Sequence, residues 1–106
     1  MKVKIPFREE FRDRMLSGQK TCTSRTRKLG NVDDSFEAFG AEFIIGDVWA
    51  GWELDMVSFY WHKEEGFNTP EAFIECWNKI HPRKGYDPDQ RVFIHWFRKT
   101  KGVDVG

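Results

Sequence analysis

Apolar positions recur along the first quarter of the chain with two different periods. Positions 3, 5 and 7 are apolar and alternate with lysine or proline, which predicts a short first strand. Phe7, Phe11 and Met15 then follow at helical spacing, so we expect a helix of two to three turns that ends at Gly18. Residues 20–25 alternate again and predict an extended segment.

The second half of the chain carries stronger strand and helix patterns. Residues 42–48 and 52–61 are rich in strand-forming residues, and both are predicted to be strands. Thr69 and Pro70 are typical of an N-cap and a first helical position, so a helix is expected to follow them. Its predicted buried stripe comprises Phe73, Ile74, Trp77 and Ile80. Residues 92–98 predict a last strand, and rings at alternating positions on both faces favour a central place in a sheet.

These elements predict one α+β domain over residues 1–106, a small mixed barrel with few, short helices and a tail from residue 99. A chain of this length with 40% hydrophobic and 16% aromatic residues can bury one core built largely from rings. No apolar run approaches the roughly 20 residues of a membrane span, and no signal peptide is visible, so we expect a cytoplasmic location and no membrane partner.

Composition also limits the chemistry that the chain is expected to perform. The two cysteines and three histidines show no ligand spacing, so we expect neither a metal nor another cofactor. The net charge is zero, but residues 1–30 carry nine Lys or Arg against three Asp or Glu, and residues 31–75 carry one against eleven. This balance argues against a large nucleic-acid footprint, which requires many neutralised phosphates, while it permits a local basic face.

The extended segment after Gly18 holds the candidate chemistry. In an extended chain Thr21, Thr23 and Arg25 point to one side, and Lys20 lies at the corner between helix and strand. A base, a hydroxyl and a fixed cation close together suit acyl transfer or anion binding. The same pattern also fits a half-exposed edge strand whose Lys and Arg are simply solvated.

The order of these parts resembles an ASCH domain (activating signal cointegrator homology), a branch of the PUA-like β-barrels. The resemblance covers nearly the whole chain and implies a small PUA-like barrel with two short flanking helices. It rests on the run Gly18-x-Lys20-Thr21-x-Thr23-x-Arg25, on Gly40-Ala41-Glu42-Phe43, on Glu64-Glu65-Gly66-Phe67 before Thr69-Pro70-Glu71, and on Val92-Phe93-Ile94. Many family members instead carry a glutamate at the position of Thr23 and Gly-Asp at the position of Gly40-Ala41.

The threonine version of this run resembles a small bacterial branch whose members are amidohydrolases of acylated cytidines, acetylcytidine above all. The resemblance implies a catalytic set of Lys20, Thr23 and Glu65, with Glu64 as the alternative to Glu65. Either the Thr23 hydroxyl attacks the acyl carbonyl, or Thr23 holds a water that does so. Lys20 serves as a base only in its neutral form, and an ion pair with Glu65 would work against that form.

Further residues are expected to bind a small nucleoside substrate. Arg25 and Thr21 are candidates for polar contacts, and the aromatic candidates for stacking on the base are Phe36, Phe39 and Trp52. The alternative is an RNA-binding module without catalysis, in which phosphates of single-stranded RNA are contacted by Lys20, Arg25, Arg27 and Lys28. The sequence indicates no oligomeric state.

Overall fold

The computed structural model describes residues 1–101, and these form an α+β fold around one antiparallel sheet. The strands are β1 (Cys22–Arg25), β2 (Ser35–Ala38), β3 (Ala41–Glu53) and β4 (Arg91–Lys101), in the spatial order β1-β4-β3-β2. The helices are α1 (Arg12–Leu16), which continues a 3₁₀ turn (Glu9–Phe11), α2 (Leu54–Trp61) and α3 (Pro70–Ile80). The sheet curls into a half-barrel, so the predicted fold class is confirmed.

β4 occupies the central position that its rings predicted, between β1 and β3. Adjacent side chains on a strand point to opposite faces, and each face carries an aromatic cluster. On one face Phe97 packs with Phe36 and Phe43, with ring centroids 5.3 to 5.5 Å apart. On the other face Trp96 packs with Trp49 and Trp61, at 4.8 and 5.2 Å. The part of the predicted tail beyond Lys101 lies outside the described residues.

Two predicted strands are wrong. Residues 3–7 form no regular strand, and the N-terminal segment makes a single isolated parallel bridge, between Lys2 and Ser35. Residues 54–61 form the helix α2, although their composition favours a strand. The helix buries Leu54, Val57 and Ser58, whose spacing of three and four residues matches a helical stripe. Strand β3 instead runs through Gly46 and Gly51 without ending, because irregularities in its pairing with β4 absorb both glycines.

The helix predicted after Thr69 is confirmed, with one change in its buried stripe. The Thr69 hydroxyl oxygen accepts a hydrogen bond of 3.1 Å from the Ala72 amide, which is the expected N-cap contact. Ile80, predicted to be buried, is 42% exposed, and Cys76 is buried beside Phe73 and Trp77 instead. Among the described residues no helix has the length and apolar character needed to cross a membrane.

Candidate active site

A cleft of about 520 Å³ lies between the N-terminal segment, β1 and α3. Its volume is within the range of roughly 300–1,000 Å³ that is typical of small-molecule sites. Rings form much of its wall, namely Phe7, Phe11, Phe67, Phe73 and Trp77. Its floor carries the polar residues Lys20, Thr23, Ser24, Arg25 and Glu65. Aromatic walls with a few converging polar groups are the usual composition of a ligand site.

The end of α1 places Lys20 at this floor. Gly18 has a left-handed backbone (φ 82°), which turns the chain out of the helix, and the Lys20 amide donates back to the Arg14 carbonyl at 2.8 Å. The next amide, that of Thr21, donates to the Glu64 carbonyl at 2.7 Å. This backbone contact ties the start of β1 to the segment after α2 and thereby brings Lys20 against Glu65.

Lys20, Ser24 and Glu65 form a buried triad, a name we use below for these three residues. The Lys20 Nζ lies 3.2 Å from Glu65 Oε1 and donates to the Glu65 carbonyl at 2.9 Å. The Ser24 hydroxyl donates to Glu65 Oε2 at 2.5 Å. All three residues are at most 6% exposed, and the Lys20 Nζ lies 4.8 Å from the centre of the Phe11 ring. Each charged group of the triad is therefore paired and hydrogen-bonded, as burial of charge requires.

The backbone at Gly66 allows the triad to close. Its φ of +102° is accessible to glycine but strained for other residues. A Cβ at Gly66 would lie 3.2 Å from the Lys20 Cβ and 3.3 Å from the Arg14 Cδ. The absence of a side chain at Gly66 thus lets Lys20 approach the turn that carries Glu65.

Thr23 and Arg25 form a second polar pair in the cleft. The Arg25 Nε donates to the Thr23 Oγ1 at 2.9 Å, and its terminal nitrogen donates to the Pro6 carbonyl at 2.5 Å. The guanidinium lies 5.0 Å from the centre of the Phe7 ring. Burial lowers the pKa of Arg25, with the charge of Glu65 opposing that effect, yet a guanidinium stays protonated in proteins. Arg25 is therefore a fixed cation held by three contacts.

His95 lies opposite Thr23 on the neighbouring strand β4 and contacts its backbone. It is fully buried, and its Nε2 accepts a hydrogen bond of 3.0 Å from the Leu29 amide. The other ring nitrogen, Nδ1, then carries the proton and donates to the Thr23 carbonyl at 3.3 Å. Burial lowers the pKa of His95, which favours this neutral form. His95 thus joins β1 to the loop that follows it.

The structure brings five of the predicted residues to one cleft and places the others elsewhere. Lys20, Thr23, Arg25, Arg27 and Glu65 all line it. The residues that do not line it are Thr21, Phe36, Phe39, Trp52, Lys28 and Glu64. Phe36 is completely buried between Phe7 and Phe43, so its ring has no free face for a base. Trp52 stacks on Trp49 at 5.4 Å in the other cluster.

Sequence reasoning missed three kinds of residue in the cleft. Ser24 was not among the predicted site residues, although it lies on the same side of the extended segment as Lys20. Trp77 was expected only as part of the core, but it lines the cleft and stacks on His81, with ring centroids 4.3 Å apart. The i, i+4 spacing of that pair along α3 was the available signal. Lys4 and Arg8 also line the cleft, and nothing in their spacing indicated it.

Solved structures share this fold at low sequence identity. Hypothetical protein PH0355 aligns over 93% of this chain and 99% of its own, with a TM-score of 0.70 and 14% identity. An ASCH domain from Lactobacillus crispatus JV V101 aligns over 84% and 69%, with a TM-score of 0.67 and 14% identity. Protein EF3133 from Enterococcus faecalis V583 aligns over 87% and 71%, with a TM-score of 0.63 and 16% identity.

Comparisons by sequence add no family to this result. Neither the protein-family models nor the curated proteins contain a match to the chain. The structural likeness includes a protein named for its ASCH domain, and it extends over most of both chains. The chain therefore has an ASCH-like fold.

Proposed function

We propose that the cleft hydrolyses the exocyclic amide of an N-acylated cytidine, with acetylcytidine as the type substrate. The observation that carries the proposal is the buried triad, which lies next to the Thr23–Arg25 pair in a single cleft. The aromatic walls suit a flat pyrimidine, because base–aromatic stacking accepts any base with a π-face. The resemblance of the Lys20–Arg25 run to the small amidohydrolases supports the same substrate class.

The contacts of Lys20 suit it to donate rather than to accept a proton. Its Nζ is held by the Glu65 carboxylate and carbonyl, and an ammonium group in that setting offers hydrogen bonds to a developing oxyanion. Glu65 is the one carboxylate that lines the cleft in the described part of the chain. It is therefore the residue that we assign as the general base.

The reaction that follows from these assignments is a direct attack by water. Glu65 accepts a proton from a water molecule as its oxygen bonds to the acyl carbon, and Lys20 stabilises the oxyanion. Glu65 then returns the proton to the exocyclic nitrogen, the C–N bond breaks, and the free amino group and the acid leave. Each proton and electron pair is accounted for by water, substrate and these two side chains.

Thr23 has a positioning role in this scheme. Its hydroxyl oxygen accepts from Arg25, which leaves the hydroxyl proton free to donate. A nucleophilic threonine requires a base in hydrogen-bond contact. Within residues 1–101 the Thr23 hydroxyl has no such contact, because Lys20 and Ser24 are both directed to Glu65. We therefore assign Thr23 to hold the water or the substrate carbonyl.

The test is the loss of acetylcytidine absorbance during incubation with the purified protein. We expect conversion by the wild type and a fall in kcat of about 10²- to 10⁴-fold in Glu65→Gln. Glu64→Gln is the matched control, since this neighbouring carboxylate does not line the cleft, and it should keep the wild-type rate. No conversion of any acylcytidine by folded wild-type protein would refute the proposal.

The role of Thr23 needs a separate variant. Thr23→Val keeps the shape of the side chain and removes the hydroxyl, and we expect it to slow turnover while detectable hydrolysis remains. A burst of cytidine release in the first turnover of the wild type would show an acyl-enzyme and would overturn direct attack by water.

A further inference from the structure

Basic side chains dominate the charged lining of the cleft. Five of them line it, namely Lys4, Arg8, Lys20, Arg25 and Arg27, against the single carboxylate of Glu65 among the described residues. Lys20 is paired with that carboxylate at the floor. An uncharged nucleoside does not account for the remaining positive charge.

Some of the remaining basic side chains are already paired within the protein, and others are not. Arg25 is held on Thr23 and on the Pro6 carbonyl, and Arg8 pairs with Glu10 at 3.3 Å. Lys4 and Arg27 are exposed, and no carboxylate of the described residues lies within ion-pair distance of either. They come from two segments, the N-terminal segment and the residues directly after β1, and both line the same cleft. Unpaired cations from two segments at one cleft are typical of an anion site.

The cleft has a buried end and an exposed end. The catalytic groups Lys20 and Glu65 are each 3% exposed and lie at the floor, whereas Lys4 and Arg27 are exposed. A base that enters with its acylated amine toward Glu65 therefore leaves its ribose nearer the exposed side. A phosphate on that ribose would then lie toward the exposed side of the cleft, which Lys4 and Arg27 line, and phosphate oxygens are strong charge-assisted acceptors for both side chains.

We propose that the substrate carries a phosphate ester, so that the cleft takes an acylated cytidine nucleotide in preference to the nucleoside. Lys4 and Arg27 bind the phosphate, and the buried triad acts on the acyl group. This inference rests on the proposed hydrolysis and adds the substrate class. The phosphate comes from a mononucleotide or from a single-stranded RNA, and the experiment distinguishes these two sources.

The first arm compares kcat/KM for acetylcytidine with that for acetylcytidine 5′-monophosphate. We expect the nucleotide to be preferred by about tenfold or more, which is the effect of a charge-assisted contact in a partly exposed site. The preference should fall between about 50 mM and about 200 mM salt, because salt screens exposed charges. In the Lys4→Ala/Arg27→Ala double variant the ratio of the two kcat/KM values should approach one.

The matched control is Lys28→Ala. Lys28 adjoins Arg27 and is also exposed, but it does not line the cleft. This variant removes the same charge from the protein and should keep the wild-type ratio. An equal loss of preference in Lys28→Ala would show a general effect of net charge and would overturn the assignment to Lys4 and Arg27.

The second arm measures binding without turnover, by calorimetry with cytidine and with cytidine 5′-monophosphate. Tighter binding of the monophosphate by about tenfold supports the inference, and equal binding overturns it. Hydrolysis of both substrates at equal kcat/KM would overturn the phosphate inference and leave the hydrolase proposal intact. Failure to bind either product, together with no hydrolysis, would overturn both.

A third arm places acetylcytidine within a short single-stranded RNA. Faster turnover of the RNA than of the mononucleotide, lost in the double variant, assigns Lys4 and Arg27 to a phosphodiester. Faster turnover of the mononucleotide assigns them to its terminal phosphate. RNA turnover that is insensitive to the double variant would contradict the role of both residues.

Discussion

Replacement of Lys20 by methionine is expected to destabilise the protein severely. The ammonium is buried and is the ion-pair partner of Glu65, so Lys20→Met leaves a carboxylate in the interior with Ser24 as its hydrogen-bond donor. Loss of one member of a buried ion pair typically costs about 3–5 kcal/mol. Domains of this size have a free energy of unfolding of about 5–15 kcal/mol, so the loss removes a large share of it.

A double-mutant cycle with Glu65→Gln separates this effect from a simple loss of contacts. The glutamine removes the charge and still accepts a hydrogen bond from the Ser24 hydroxyl. The double variant Lys20→Met/Glu65→Gln should therefore be more stable than the sum of the two single losses predicts, by about 2 kcal/mol. Urea unfolding, followed by circular dichroism and by tryptophan fluorescence, measures all four proteins.

An exposed ion pair provides the control for this cycle. The Lys2 Nζ lies 2.8 Å from Glu37 Oε1, closer than the Lys20–Glu65 contact of 3.2 Å, but both side chains are more than 60% exposed. Lys2→Met should leave the urea midpoint almost unchanged, because water screens the pair. The reasoning is that burial, rather than distance, sets how much an ion pair contributes to stability. Additive losses in the Lys20 cycle would refute it. A urea midpoint that changes as little in Lys20→Met as in Lys2→Met would refute it too.

Three further variants test the surroundings of the triad. Ser24→Ala removes the donor to the buried Glu65 carboxylate, and we expect a loss of about 1.5–3 kcal/mol in urea unfolding together with a lower kcat. Gly66→Ala combines a strained φ with a close contact to Lys20, so it should lower the free energy of unfolding by about 1–3 kcal/mol and also lower kcat. An unchanged kcat would show that Gly66 is not needed for the geometry of the triad. His95 is buried with a lowered pKa, so the unfolded chain binds more protons below about pH 6.5 and stability falls as the pH falls through that region. His95→Gln should flatten this dependence in thermal unfolding curves between about pH 5 and pH 8, and an unchanged slope would assign it to other groups.

Local patterns in the sequence predict one side of the site. The helix that ends at Gly18 and the alternation after it suffice to bring Lys20, Thr23 and Arg25 to one end of a strand. Such signals act over a few residues, and the structure retains the local geometry they predict. The pairing of Thr23 with Arg25, two positions apart on β1, follows directly from the strand period.

The other side of the site depends on contacts that local patterns do not contain. Glu65 lies 45 positions from Lys20 and enters the cleft because α2 ends just before it. The composition of residues 54–61 favours a strand, so the sequence pattern alone does not predict the turn after α2 that carries Glu65. The choice of Glu65 over Glu64 came from the family resemblance, and in the structure Glu65 lines the cleft whereas Glu64 does not.

The aromatic candidates were misplaced because packing, rather than composition, decides which rings stay available. Phe36 was expected to stack on the base, but it lies on β2 opposite Phe43 of β3 and is covered by Phe7. Trp77 was expected to be core, and its ring is indeed only 6% exposed, yet the cleft reaches it. A ring that closes the core on one side and lines a cleft on the other shows the same helical spacing as a purely structural ring.

The wrong strand at residues 3–7 and the cleft have a common cause. A half-barrel of four strands leaves β1 and β2 as edges, and the N-terminal segment spans the gap between them. The Val3 amide donates to the Ser35 carbonyl of β2 at 2.7 Å, while the Pro6 carbonyl accepts from Arg25 of β1. A chain that joined either edge as a regular strand would bury its backbone along that edge. Because this segment makes only scattered contacts with the two edges, Lys4 remains exposed beside the cleft, where we propose that it binds a phosphate.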